Sequence, residues 1–186
     1  MKTAESGALE SSKSGESEEK EMKTIYLAGG CFWGVQRYFD QFDGVISTET
    51  GYANGPDAAP SYREVCDSSG HAETVKIVYD ESRISLTKLL EYYFMVIDPL
   101  SVNKQGNDIG IQYRTGIYYT SEDQIAEARA VYEAQEKKAG EKLAVELLPL
   151  ENFFTAEEYH QKYLEKNPAG YCHIPRNMFH LQDGGK

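Results

Sequence analysis

At 186 residues, 40% apolar and 26% charged, the chain has the length and balance of one globular domain carrying at most a tail. Its longest unbroken apolar run, Tyr92 to Ile97, is six residues, where a membrane-spanning helix needs about 20. The formal charge of −11, from 19 basic and 30 acidic residues, is the opposite of what release of counterions from a nucleic-acid backbone requires.

The first 22 residues set Lys2, Lys13 and Lys20 against six glutamates, with many serines and no aromatic ring. Such a segment buries too little apolar surface to offset ordering entropy and reads as a disordered acidic tail. Residues 23–186 then form a single domain. Thr24 to Ala28 reads as a strand running into Gly29-Gly30. Trp33 to Phe42 carries apolar residues at 35, 38, 39 and 42, a helical stripe closed by Asp43-Gly44. Val45 to Gly51 is a second strand, followed by a loop punctuated by Asn54-Gly55-Pro56 and Pro60. Glu73, Val75, Ile77 and Tyr79 alternate with Thr74, Lys76 and Val78 as a third strand. Ser85 caps a helix through about Ile97, stopped by Asp98-Pro99, and Gly116 to Thr120 is a fourth strand. Ser121 with Gln124 makes a capping box for a long helix ending near Gly140. Ala144 to Leu150 is a last strand, and Thr155 with Glu158 predicts a last helix ended by Asn167-Pro168. The first six elements run β-α-β-β-α-β, which predicts an α/β two-layer sandwich with a ferredoxin-like core and mixed sheet, extended by an extra helix-strand-helix.

Cys31, Cys66 and Cys172 are odd in number and widely spaced, neither a disulfide framework nor a zinc pattern, and they fit a reducing compartment. Cys31 follows a strand and two glycines and sits where a helix begins. Free amides there favour a thiolate and would lower its pKa from the ordinary value of about 8.5. A buried core cysteine is the alternative. Glu73 shares a strand face with three apolar residues, so its carboxyl borders an apolar wall where desolvation raises its pKa and makes it a proton donor; a solvated strand-end glutamate is the alternative. Phe32 and Trp33 either wall a pocket for a methyl or thioether group or anchor the first helix. Tyr52, Tyr62 and Tyr113 fall in predicted loops and offer hydroxyl donors on apolar rings. Asp108 reads equally well as a turn-forming aspartate. Cys172 lies among turn formers, where a thiol can meet a distant partner, or stay idle. Cys66 is taken as structural, and His160 as a residue of the last helix, on its surface or behind the site.

The segment Gly30-Cys31-Phe32-Trp33-Gly34 resembles the signature of the type A peptide methionine sulfoxide reductases. Gly51-Tyr52, Pro60-x-Tyr62-Arg63-Glu64-Val65-Cys66, Gly70-His71-Ala72-Glu73, Gln105-Gly106-Asn107-Asp108-x-Gly110-x-Gln112-Tyr113-Arg114 and Asn167-Pro168-x-Gly170-Tyr171-Cys172 resemble further blocks of that family, in its order. The resemblance implies Cys31 as nucleophile, Glu73 as general acid, Phe32 and Trp33 as the methyl pocket, and Tyr62, Asp108 and Tyr113 as substrate-positioning groups. It also implies Cys172 as the recycling thiol, forming a Cys31–Cys172 disulfide reduced by thioredoxin. The implied substrate is methionine S-sulfoxide, free or in proteins, with no metal or organic cofactor and electrons from thioredoxin or a small dithiol. No cysteine follows residue 172, which argues against a relay through a third thiol. The expected partners are the sulfoxide substrate and thioredoxin, with no nucleic acid and no membrane span; the expected form is a cytoplasmic monomer, while the acidic tail leaves an exported or tethered form open. The runner-up is a cysteine hydrolase, because Gly-x-Cys before an aromatic resembles papain-like proteases. It needs a basic histidine near Cys31, for which His71 and His160 are the candidates. A third reading is a non-catalytic binding domain docked through its acidic tail.

Overall fold

The computed structural model describes residues 22–182. The acidic tail of residues 1–21 lies outside them, and Met22, assigned to the tail by composition, already belongs to the first strand. The strands are β1 (Met22–Gly29), β2 (Val45–Ala53), β3 (Ala72–Asp80), β4 (Lys104–Gln105), β5 (Asp108–Ile109), β6 (Thr115–Tyr119), β7 (Glu146–Pro149) and β8 (Phe153–Thr155). The helices are α1 (Phe32–Phe39), α2 (Tyr62–Cys66), α3 (Leu86–Phe94), α4 (Glu122–Ala139) and α5 (Tyr163–Lys166). Six strands form one mixed sheet in the order β7-β6-β1-β3-β2-β8; β6 and β7 are parallel and the other pairs antiparallel, while β4 and β5 make a separate hairpin.

The alternating strands bury one side against the helices. Ile25 and Leu27 of β1 and Val75, Ile77 and Tyr79 of β3 pack with Val35, Phe39, Leu89, Leu90 and Tyr93. That face is the larger core, since each fully buried aliphatic or aromatic side chain contributes roughly 1.5–3 kcal/mol. The opposite face is thin, built on Ala28, Ala53, Ala72 and Tyr118, with Leu150 and Phe153 laid over it.

The N-caps of α3 and α4 fall where the sequence predicts. However, α3 ends at Phe94 rather than near Ile97, and the Gln124 side chain accepts the Thr120 amide instead of closing a box on Ser121. The Ser85 hydroxyl accepts the Lys88 amide at 3.1 Å, and Ser121 accepts that of Gln124 at 3.4 Å. Gly140 ends α4 in the left-handed region, at φ +72°, where a β-carbon is disfavoured. The expected last helix over Thr155 to Asn167 does not form as one piece. Phe153–Thr155 pairs with Gly51–Ala53 as a strand, residues 158–160 make a single 3-10 turn, and the helix is confined to Tyr163–Lys166. No helix among the described residues is long and apolar enough to cross a membrane.

One end of the sheet gathers the features that matter below. β1 ends there at Gly29 beside Thr115, the first residue of β6, and β3 begins there with Ala72, followed by Glu73 opposite Tyr52 of β2.

Candidate active site

Gly30 turns the chain out of β1 with φ +85°, a conformation open to glycine at little cost. It places Cys31 as the residue preceding α1, 7% exposed. Across from it Glu73, 2% exposed, enters from β3, and its Oε1 accepts the Phe32 amide at 3.3 Å. Its Oε2 is buried with no hydrogen-bond partner among the described residues. Burial pushes the Glu73 carboxyl up to about 8, the Phe32 amide opposing and Asp108 adding to the rise. The acid is therefore mostly protonated at pH 7, as the alternation of residues 73 to 79 predicts.

The thiol behaves otherwise than expected. The Trp33 amide at the helix start does favour the thiolate, but burial outweighs it. With the charges of Glu73, Asp108 and Cys172 adding to burial, Cys31 is held well above its ordinary value. An N-terminal amide lowers a thiol pKa only where the sulfur is not also desolvated. The resting pair thus keeps both protons at neutral pH, and the charge of Glu73 does not act on the sulfur until it ionises.

The remaining expected residues converge on this pair from four separate segments. α2 brings Tyr62, the β4–β5 hairpin brings Asp108, the 3-10 turn Ile111–Tyr113 brings Tyr113, and the C-terminal segment brings Cys172. The charges of Glu73, Asp108 and Cys31 all reach Tyr113, and those of Glu73 and Tyr113 reach Tyr62. Both phenols are pushed upward, Tyr113 by burial and these charges and Tyr62 by burial, a hydrogen bond with Cys66 and then these neighbours, so both stay protonated. Tyr52 is not in a loop but fully buried on β2, where its hydroxyl donates to Glu157 Oε1 at 3.2 Å.

Phe32 is 1% exposed, packed between Tyr52 and His160 at ring-centre distances of 5.7 and 5.1 Å, and so backs the site. Trp33 keeps a partly exposed face. It stacks on Tyr163 at 3.7 Å and donates from Nε1 to His160 Nδ1 at 2.9 Å. His160 is not on a helix surface: it is fully buried in the 3-10 turn, ringed by Phe32, Trp33, Tyr62 and Tyr159. Accepting from Trp33 leaves its proton on Nε2, and burial lowers its pKa. His71 pairs with the Ser69 hydroxyl and the Pro56 carbonyl. Neither histidine offered for a hydrolase is free to act as base on Cys31. Cys66 is exposed at the end of α2, against the expectation that it is structural; one helical turn after Tyr62, it follows a capping box rather than filling the core.

Three features escape the sequence reading. The Tyr171 hydroxyl donates to Asp108 Oδ2 at 3.2 Å, tying the Cys172 segment to the hairpin. The His173 side chain is shielded beside Gly30. α2 itself was hidden in a predicted loop, although Ser61-x-x-Glu64 is a capping box. Their contacts confirm it: Glu64 N to Ser61 Oγ at 3.2 Å and Ser61 N to Glu64 Oε2 at 2.9 Å. Among the described residues no group of three His, Cys, Asp or Glu side chains could hold a metal ion.

A recessed thiol facing a proton-bearing carboxyl, with a second free thiol in the same electrostatic neighbourhood, is the apparatus of a cysteine-dependent redox enzyme. Comparison with known proteins places it more narrowly. Residues 23–183 match the model of the family described as peptide methionine sulfoxide reductase, and the chain belongs to that family. A relative from Lachnoclostridium phytofermentans, named peptide methionine sulfoxide reductase MsrA, is 56% identical over 158 residues, covering 84% of this chain and 95% of the relative. The crystal structure of Mxr1 from Saccharomyces cerevisiae in reduced form superposes with a TM-score of 0.77 at 38% identity, covering 81% of this chain and 88% of that one. Mxr1 in complex with Trx2 matches with a TM-score of 0.56 at 25% identity, over 81% of this chain and 91% of that one.

Proposed function

We propose that this protein reduces methionine S-sulfoxide through Cys31, with Glu73 as proton donor and Cys172 as recycling thiol. The reaction balances as one thiol plus one sulfoxide giving one sulfenic acid plus one thioether. The Cys31 sulfur forms the new bond to oxygen, the sulfoxide S–O bond breaks, and the sulfur of the substrate gains the electron pair. The sulfoxide oxygen needs a proton as its charge develops, and the unbonded Oε2 of Glu73 is where that proton is held. Tyr62 and Tyr113 donate to the same oxygen, Asp108 helps to orient the substrate, and the partly exposed face of Trp33 takes the methyl group with Phe32 behind it. Cys172 then condenses with the sulfenic acid, releasing water and leaving a disulfide. A dithiol partner of the thioredoxin class exchanges it away, a reading supported by the complex that yeast Mxr1 makes with Trx2. The centre of the sheet, β6-β1-β3-β2 with α1 and α3 as its helical connections, is read as the ferredoxin-like core, and residues 23–186 as one catalytic domain.

The observation that carries this reading is a carboxyl still protonated near neutral pH opposite a thiol at the start of α1. Mass spectrometry of the protein after substrate alone, with no reductant, tests it. One methionine per chain should be released and two hydrogens lost to a Cys31–Cys172 crosslink; a Cys31→Ser variant should release none. Methionine release by that variant overturns the proposal.

A further inference from the structure

The Cys172-His173 dipeptide lies across the start of α1 in two notches left by glycines. A β-carbon on Gly34 would stand 2.5 Å from Cys172 Sγ, and one on Gly30 would stand 3.1 Å from Cε1 and Nε2 of His173. The two side chains therefore straddle Cys31, one on the residue before it and the other three residues beyond. The His173 socket is closed on its other side by the hairpin turn, where a β-carbon on Gly106 would be 3.1 Å from His173 Cβ. Gly30 and Gly106 both have positive φ, +85° and +59°, so the socket is built into backbone that glycine holds without strain.

The imidazole is 4% exposed; the Gly29 carbonyl acts on the ring as a hydrogen-bond acceptor, and Asp108 Oδ2 lies 3.8 Å from Nδ1. The ring is a flat plug in a narrow slot immediately next to Cys172. On the other side of the dipeptide, Ile174 is 2% exposed in the core and its amide donates to Cys172 Sγ at 3.3 Å. The thiol is thus pinned between a plug and a core anchor while both cysteines are still reduced.

We propose that His173 is the positioning residue of the recycling step: plugged between Gly30, Gly106 and Asp108, it holds Cys172 beside Cys31 so that the sulfenic acid is captured within the chain. The inference rests on the reading of Cys172 as recycling thiol. The step it serves forms the S–S bond and breaks the S–O bond of the Cys31 sulfenic acid; the Cys172 proton leaves with the hydroxyl as water. Pre-placement matters because an intramolecular thiol acts at an effective concentration far above that of free thiols.

A single-turnover experiment without reductant separates the two steps in His173→Ala. Methionine should appear at the native rate, because the plug lies outside the Cys31–Glu73 pair. The Cys31–Cys172 crosslink should form at least 10-fold more slowly, with sulfenic acid persisting long enough to be trapped by dimedone. An excess of small monothiol, replacing Cys172 from solution, should return multiple-turnover activity to the native level. Should His173→Ala fail to fold, His173→Val, which leaves much of the slot empty, carries the same comparison. Crosslinking at the native rate overturns the proposal, as does equal loss of both steps. If the native protein forms no Cys31–Cys172 crosslink, the reading of Cys172 falls and this inference with it.

Discussion

At the scale of single residues, the proposed chemistry depends on two protons shared between Cys31 and Glu73. Burial raises both groups, and they interact, so they titrate as a pair with macroscopic values belonging to neither alone. The reactive form is the thiolate with the acid still protonated. Below the first ionisation both protons are present and the sulfur is a thiol; above the second both are gone and no donor remains. The pH profile of kcat/KM should therefore be bell-shaped. Glu73→Gln should lower the rate by roughly 10²–10³, within the range of a general acid, and turn the bell into a rise to a plateau, since only the thiol then titrates. A full-rate variant, or one that keeps the alkaline limb, means that the proton comes from another group. Cys172→Ser should release one methionine per chain and then stall with thioredoxin as reductant, while a small thiol should restart it. Sustained thioredoxin-driven turnover would remove Cys172 from the cycle. The placement of Cys31, Glu73 and Cys172 was legible because each has a local signal: a strand-glycine-helix junction, a carboxyl in an apolar alternation, a thiol among turn formers. The raised thiol pKa was not, because desolvation depends on how many distant segments close over the sulfur.

Among the elements, those with several periods of pattern were legible and those without were not. β1, β3, α3 and α4 each repeat their burial pattern often enough to be read, and the two helices start at the serines the sequence places there. The two-residue strands β4 and β5 have no period at all, and β8 exists because β2 offers it an edge. A β-carbon on Gly51 would stand 2.3 Å from the Phe153 ring, so the close approach of that ring is a tertiary event. Thr155-x-x-Glu158 looked like a capping box, but the Thr155 hydroxyl donates to Glu49 Oε1 at 2.5 Å instead. Ser61-x-x-Glu64 is the real one, and it holds the single short helix that presents Tyr62. A five-residue helix has little stability of its own, so its cap decides how firmly that hydroxyl is placed. Ser61→Ala should cost about 1 kcal/mol of stability, and it should lower activity severalfold by loosening Tyr62. Calorimetry and steady-state rates on the same sample check both. Unchanged activity would mean that Tyr62 is held by its ring contact with His160, at 4.5 Å, rather than by the cap.

For the whole molecule, the carboxyl proposed as proton donor also burdens the fold. Glu73 carries its proton to about 8 in the folded chain against 4.5 for an unperturbed group, so the folded state binds the proton more tightly than the unfolded one. That contribution is complete below pH 4.5 and is lost as pH rises to about 8. The buried histidines His71, His160 and His173 have the opposite sense. Burial lowers each below 6.5, so they weaken the fold as pH falls toward and through that value. Between about pH 7.5 and 8 the histidines are mostly neutral in both states, and Glu73 is left to set most of the slope. The full shift corresponds to up to about 5 kcal/mol. Water drawn to a newly formed carboxylate screens part of it, and about 2 kcal/mol is the expected gain for Glu73→Gln at pH 9. For a domain of this size that is roughly 4–8 °C in Tm. The variant should match or trail the native protein at pH 5, overtake it between 6.5 and 8, and hold a constant lead above that, as read by thermal unfolding across the series. Identical melting curves at pH 9 would show that the native carboxyl ionises without cost. Glu73 would then be charged at neutral pH and unable to give the sulfoxide oxygen its proton.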